Sequence, residues 1–117
     1  MKCKFYYLVG KTPVMTTDVI KWGIEFEKNR LVQQTKIGDI LVSTVFLGLN
    51  HRFREIATLP PILFETMIFG GVADDFQERY ETWEQAEAGH KKAVYMVLGM
   101  VSLETEILKK AIIKSLN

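Results

Sequence analysis

Two apolar runs near the middle of the chain constrain its fold more than any other feature. Residues 40–47 and 62–69 are each too short to cross a membrane, and both are rich in Val, Ile, Phe and Thr, which favour strands. Pro60 and Pro61 have no N–H group for a sheet ladder, so the second strand must begin after them. We therefore predict that the two runs form the central strands of one sheet, buried on both faces.

The segments before these runs predict a hairpin, a helix and an edge strand. Residues 5–9 are dense in strand-forming residues and are followed by a turn and a short return. Thr16 or Thr17 can cap a helix over residues 18–29, whose apolar side chains share one face. Residues 31–36 then predict an edge strand that pairs with the first apolar run in an antiparallel hairpin.

The segments after the runs predict a loop and a helical C-terminal region. Residues 72–81 are interpreted as a loop, and Thr82 has capping-box spacing with Gln85. Ser102 can cap a second helix over residues 102–116, so one kinked helix and two helices both remain open. The order of elements predicts an α+β fold, with a mostly antiparallel sheet of about four to five strands, helices packed on one face and a C-terminal helical extension.

Composition limits the classes of function. The 117 residues fit a single domain over 1–117, and 15 basic against 14 acidic residues give a net charge of +1, which indicates neither a nucleic-acid nor a membrane partner. One cysteine and two histidines are too few for a structural zinc site within one chain, and no nucleotide-binding motif is present. We expect no cofactor, no metal, no targeting segment and a cytoplasmic location.

A basic loop after the first run carries the first candidate site. His51, Arg52 and Arg54 follow a predicted central strand, where a rigid scaffold often presents functional side chains. A histidine with two arginines could bind a phosphate or a carboxylate. The alternative is a solvated basic loop.

Polar residues inside the second run carry the second candidate site. Glu65 and Thr66 interrupt an apolar strand, and a buried carboxylate demands a partner or a raised pKa. Glu65 could act as an acid, a base or a ligand contact. Alternatively, it is a structural carboxylate tied to an arginine, a lysine or a backbone amide.

The start of the C-terminal helix carries the third candidate site. His90 lies on the apolar stripe of that helix, which fits either a hydrogen-bonded core histidine or a general base. Tyr80, which the pattern places in an exposed loop, and Trp83 flank the helix cap. Either ring could stack on a base, whereas a Trp in a first helical turn also serves as a core anchor.

Several long stretches resemble a family of small uncharacterised proteins encoded by phages and prophages. These stretches are FYYLVGKTPV, KWGIEFE, VSTVFLGLNHRF, PPILFETMIFGG and YETWEQAEAGH, in this order. The resemblance implies a family-like core over about residues 5–98 and a small protein that acts on host or phage machinery. It implies no activity. Two features depart from the family pattern, since Asn50 stands where an acidic residue often precedes the histidine, and the basic HRFR stands where a glycine-rich stretch is common.

Three classes of function follow from these observations. The leading hypothesis is a non-enzymatic protein that binds a host protein or a small ligand and modulates or inhibits a host process, such as a CRISPR or nucleotide-signalling defence. The second is a small hydrolase or nuclease that uses His51, Glu65 or His90. The third is a phage structural or assembly component, for which the apolar face of the C-terminal helix suggests a homo-oligomer. Convergence of the candidate side chains would favour a small-molecule site, and dispersal would favour a protein surface.

Overall fold

A computed structural model describes residues 4–52 and 58–116 and shows the α+β fold that the sequence predicts. The chain contains six strands and two helices among these residues. They are β1 (Phe5–Val9), β2 (Thr12–Thr16), α1 (Val19–Lys28), β3 (Leu31–Ile37), β4 (Ile40–Phe46), β5 (Phe64–Phe69), β6 (Gln77–Tyr80) and α2 (Trp83–Leu116). All strand pairs are antiparallel, and α2 includes the C-terminal extension.

The main sheet has the strand order β3-β4-β5-β6. Its two inner strands, β4 and β5, are the two apolar runs, as predicted, although the ladder of β5 begins at Phe64 rather than at residue 62. In their register Val42 lies opposite Ile68 and Phe46 opposite Phe64, and these four side chains are almost fully buried. We call this side of the sheet the covered face. The prediction of burial on both faces is wrong for the other side, where no described helix packs, Phe69 is 46% exposed and Met67 is half-buried.

The prediction of a loop over residues 72–81 is wrong in part. Gln77–Tyr80 is the edge strand β6, which pairs with β5 so that Arg79 lies opposite Glu65. The sequence gives no strand signal there because its four residues are mostly polar and do not alternate. Tyr80 is also buried rather than exposed, since its ring points to the covered face beside Phe64.

The predicted N-terminal hairpin forms, but it is a separate two-stranded sheet that packs with α1. The N-cap of α1 is Asp18 rather than Thr16 or Thr17, because its carboxylate accepts hydrogen bonds from the backbone of the first turn. Trp22 of α1 stacks on neighbouring aromatic rings and donates from its indole N–H to the Tyr6 carbonyl over 2.9 Å. These contacts join α1 to β1.

The C-terminal helix α2 is a single helix of 34 residues, which settles the alternative that the sequence left open. Its capping box is present as predicted, since the Thr82 hydroxyl accepts from the Gln85 amide and the Gln85 side chain accepts from the Thr82 amide. The first half packs on the covered face, with Ala93 and Val97 buried. Residues 102–115 are exposed, and the molecule is 70 Å long but only 28 by 20 Å across. No described helix has a stretch apolar enough to cross a membrane.

Candidate functional site

A buried polar network lies between the sheet and α2, and His90 is at its centre. Its Nε2 atom is hydrogen-bonded with the Thr35 hydroxyl of β3 over 2.8 Å, and its Nδ1 atom with the Thr44 hydroxyl of β4 over 2.7 Å. Thr44 is in turn bonded with Thr66 of β5 over 2.6 Å. One helix and three strands therefore meet at this network, which explains the presence of Thr44 and Thr66 within the two apolar runs.

The geometry of His90 is that of a structural histidine. A neutral imidazole has one donor and one acceptor nitrogen, and each nitrogen has a hydroxyl partner here. Burial also lowers the pKa of His90 below its usual value of 6.5, so the ring stays neutral at physiological pH. The side chain is only 1% exposed, although a cleft of about 310 Å³ opens beside it between Thr35, Glu87 and Lys91.

Tyr80 lies at the far end of the same buried region. Its ring packs against the backbone of Gly89, where the absence of a side chain leaves the space that the phenol occupies. The Tyr80 hydroxyl is buried without a hydrogen-bond partner of normal geometry among the described residues. Burial raises the pKa of this hydroxyl, and the Glu78 carboxylate adds to the increase. The structure thus brings Thr66, Tyr80 and His90 together in the core.

Glu65 lies on the opposite face of the sheet from these three residues. Its Oε2 atom accepts hydrogen bonds from Arg79 Nε over 2.8 Å and from Gln77 Nε2 over 2.6 Å, both on β6. The carboxylate side chain is only 9% exposed because its cross-strand neighbours cover it. Glu65 is therefore tied to an arginine, one of the two alternatives that the sequence leaves open.

Replacing Arg79 should destabilise the fold, because the buried Glu65 carboxylate loses one of its two hydrogen-bond donors. We expect Arg79→Ala to lower the free energy of unfolding by about 1–2 kcal/mol, since Glu65 keeps only the Gln77 donor. Urea denaturation followed by circular dichroism measures the change. In a Glu65→Ala background the same substitution should have little effect, and equal losses in both backgrounds would contradict a direct interaction.

The described part of the basic loop, which ends at Arg52, makes contacts within the chain. Arg52 donates from Nε and Nη2 to the Pro60 carbonyl, over 3.0 and 2.7 Å, and pairs with Glu81. The His51 side chain is exposed, and its backbone N–H bonds to the Ile62 carbonyl. Arg54 lies outside the described residues. His51, Glu65 and His90 therefore occupy three separate places and do not converge.

Trp83 fits the description of a core anchor. Its ring meets Phe64 edge-on, with 6.2 Å between centroids and an angle of 88° between planes. The Lys11 ammonium lies 5.8 Å from its centroid, and its indole N–H donates to the Glu87 carboxylate. The Trp83 ring therefore contacts Phe64 and Lys11, and its N–H group is already hydrogen-bonded within the chain.

The surface that sequence reasoning missed is the other side of the main sheet, which we call the open face. It is formed by Gln34 and Lys36 of β3, Leu41, Ser43 and Val45 of β4, Glu65, Met67 and Phe69 of β5, and Gln77 and Arg79 of β6. Within the described ranges, α2 contacts the sheet from the covered face and α1 contacts mainly β1 and β2, so neither helix packs over the open face. The sequence pattern could not predict the open face because β6 was not predicted, and β6 supplies the polar side chains of Gln77 and Arg79.

A cleft of about 430 Å³ opens at the end of the open face, next to the C-terminus of α1. Leu31, Gln34 and Val45 line it from the sheet, and Arg30 lines it from the segment that joins α1 to β3. The Arg30 guanidinium lies 5.5 Å from the Phe26 ring centroid and so borders an apolar floor. This concave region combines apolar walls with an edge formed by the Arg30–Glu27 ion pair, whose atoms lie 3.8 Å apart.

Neither a metal site nor a known relative accounts for these features. In the part of the chain that the structure describes, no group of three or more His, Cys, Asp or Glu side chains could hold a metal ion. A scan against protein-family models, a search of curated proteins and a search of solved structures each found no match to this chain.

Proposed function

We propose that this chain is a non-enzymatic binding protein that takes a segment of another protein on its open face. The observation that carries the proposal is that face itself, a four-stranded surface that no described helix covers, with a cleft of about 430 Å³ at one end. One solvated face is common in antiparallel sheets, but a large apolar side chain exposed on it, such as Phe69 at 46%, is a feature of protein-binding surfaces.

The side chains of the open face are already held in place. Glu65 fixes Gln77 and Arg79 by hydrogen bonds, and Gln34 donates to the Ser43 hydroxyl over 3.3 Å. A partner therefore meets polar groups that have lost much of their rotamer freedom on folding. Such preorganisation lowers the entropic cost of binding.

The charges of this surface indicate the chemistry of the partner. Arg30, Lys36 and Arg79 carry positive charge at or beside the open face. Glu65 pairs with Arg79 and Glu27 pairs with Arg30 over 3.8 Å, so one positive charge remains in excess among these groups. Met67 lies between them and is half-buried. The complementary partner is a segment with apolar side chains flanked by acidic residues.

The dispersal of the titratable candidates also supports binding over hydrolysis. His90 has both ring nitrogens bonded within the core, Glu65 is paired on the other face, and His51 is exposed at the end of β4. General acid–base catalysis needs such groups within reach of one substrate. The hydrolase or nuclease alternative has no such arrangement to support it.

The resemblance to phage and prophage proteins extends the proposal to a biological setting. We place the partner among host proteins, so that binding in the host cytoplasm modulates or inhibits a host process, with a CRISPR or nucleotide-signalling defence as the leading example. The assembly-component alternative differs in one respect, because its partner would be a phage structural protein. The identity of the bound protein separates the two.

A photo-crosslinking experiment tests the use of the open face. A photoreactive phenylalanine analogue replaces Met67 on that face or, as the matched control, Ala88 on the solvent side of α2. We expect a discrete crosslinked protein only from the Met67 position, joined through an acidic and apolar segment. Equal crosslinking from both positions, or a joined segment that is basic, would contradict the proposal.

A binding measurement with the purified segment gives the second test. We expect Met67→Glu to weaken its binding at least about tenfold, because a new carboxylate on the open face repels an acidic partner, while Ala88→Glu leaves binding unchanged. Isothermal titration calorimetry measures both, and melting temperatures show that the variants are folded. Unchanged affinity for Met67→Glu would place the partner elsewhere on the molecule.

A further inference from the structure

The second half of α2, residues 102–115, presents an apolar face without a partner in the described chain. We call these residues the free half. Beyond Val101 every side chain that the structure describes is exposed, including four large aliphatic residues on one side of the helix. These residues are Leu103, Ile107, Leu108 and Ile112. At 100° per residue they fall within one half of the helix circumference.

This face continues the stripe that buries the first half of the helix. Ala86, His90, Ala93 and Val97 face the sheet at intervals of four, three and four residues. At 100° per residue the same line along the helix continues through positions 101, 104, 108, 111 and 115, with a second interval of four between 97 and 101, and so carries the stripe past the end of the sheet. The free half therefore has a stripe of the kind by which one helix packs against another. We call positions 101, 104, 108, 111 and 115 the seam.

We propose that this seam binds the same seam of a second copy of the chain, with the two helices antiparallel. The decisive residue is Glu104, which lies in the middle of the apolar face. In a parallel pair the two Glu104 carboxylates would face each other within an apolar seam, where like charges are strongly unfavourable. An antiparallel pair avoids this contact.

The antiparallel arrangement also supplies each Glu104 with a counter-charge. In the register that brings a lysine beside Glu104, seam positions whose numbers sum to 219 lie opposite each other, so Leu108 meets Ala111 of the second copy and Glu104 meets Ser115 of the second copy. Lys114 of the second copy is then adjacent to Glu104. Ten residues, or about 15 Å of helix, separate Glu104 from Lys114 within one chain, so this pair forms only between copies.

Other charges on the free half agree with this arrangement. Glu106 and Lys109 pair within one helix over 3.7 Å, on the side away from the seam. In the described part of the chain neither Glu104 nor Lys114 has an ion-pair partner. The acidic residues lie in the first part of the free half and the basic residues in the last part, so reversing one helix matches opposite charges.

The first experiment measures the mass of the full chain in solution. Light scattering and sedimentation over a range of concentrations should show a reversible dimer. We expect Leu108→Lys to leave a monomer, because it places charge in the seam, while Ile113→Lys on the opposite side of the helix leaves the dimer intact. A monomeric parent chain at all concentrations, including one whose free half instead binds anionic lipid vesicles, would overturn the proposal, as would equal dimerisation of both variants.

The second experiment tests the orientation of the helices. Glu104→Lys and Lys114→Glu should each weaken the dimer about tenfold or more, and the double variant should regain most of the parent affinity because the pair is restored with its signs exchanged. Glu104→Gln should also weaken an antiparallel dimer, by about two- to fivefold. A tighter dimer for Glu104→Gln, or no recovery in the double variant, would overturn the antiparallel pairing.

Discussion

Replacing Gly89 with alanine should destabilise the fold by about 2–3 kcal/mol, although alanine favours helices more than glycine does. The Tyr80 ring and hydroxyl lie in the space that an alanine Cβ at this position would occupy. Tyr80 belongs to the core beside Phe64 and Ala86, so the ring cannot move without disturbing that packing. Overpacking therefore outweighs the gain in helix propensity.

The same helix offers a matched control for this prediction. An alanine Cβ at Gly99 would meet no heavy atom of the described residues within 4 Å, apart from its own helix and chain neighbours, so Gly99→Ala should stabilise the protein by about 1 kcal/mol. Urea denaturation compares the two variants directly. If Gly89→Ala stabilised the protein like Gly99→Ala, Tyr80 would not occupy the position described. A Gly89→Ala/Tyr80→Phe variant should recover little, because the ring as well as the hydroxyl fills the space.

Replacing His90 with alanine should destabilise the fold by about 3–4 kcal/mol. The substitution opens a cavity between α2 and the sheet, and it leaves the Thr35 and Thr44 hydroxyls without their imidazole partner. His51→Ala is the control, because the His51 side chain is exposed and should contribute little to stability. A loss below about 1 kcal/mol for His90→Ala would show that the network is not a stabilising contact.

The pH dependence of the free energy of unfolding gives a second test of the buried position of His90. Burial places its folded-state pKa below the usual 6.5, so the unfolded chain binds the proton more readily. The free energy of unfolding should therefore fall as pH drops below about 6.5, until the folded-state pKa is reached. His90→Gln should flatten this slope between about pH 7.5 and 5.5. An unchanged slope in His90→Gln would contradict the assignment.

Local signals in the sequence predicted the elements whose formation depends on nearby residues. The apolar runs identified β4 and β5, and the Thr82–Gln85 spacing identified the start of α2, because strand composition and capping are local properties. The edge strand β6 was missed because its pairing with β5, rather than its own side chains, makes it a strand. Tertiary pairing outweighs intrinsic preference at such an edge.

The candidate sites were predictable to a smaller extent. The helical stripe placed His90 in the core, but its partners Thr35 and Thr44 lie 55 and 46 residues away in sequence, and no local pattern joins them. The open face depends on the same missing strand, since Gln77 and Arg79 of β6 hold Glu65. The partners of His90 and Glu65 thus depend on contacts between residues that are distant in sequence, which local patterns do not predict.

The continuous α2 helix gives a dimer a fixed geometry. The free half spans 14 residues from position 102 to 115, or about 20 Å. It continues without a break from the part of α2 that packs on the sheet. An antiparallel pair would hold two sheets at opposite ends of a stiff rod, each with its own open face. A partner that carries two copies of the bound segment would then engage both faces at once, and its residence time would depend on the spacing of those segments.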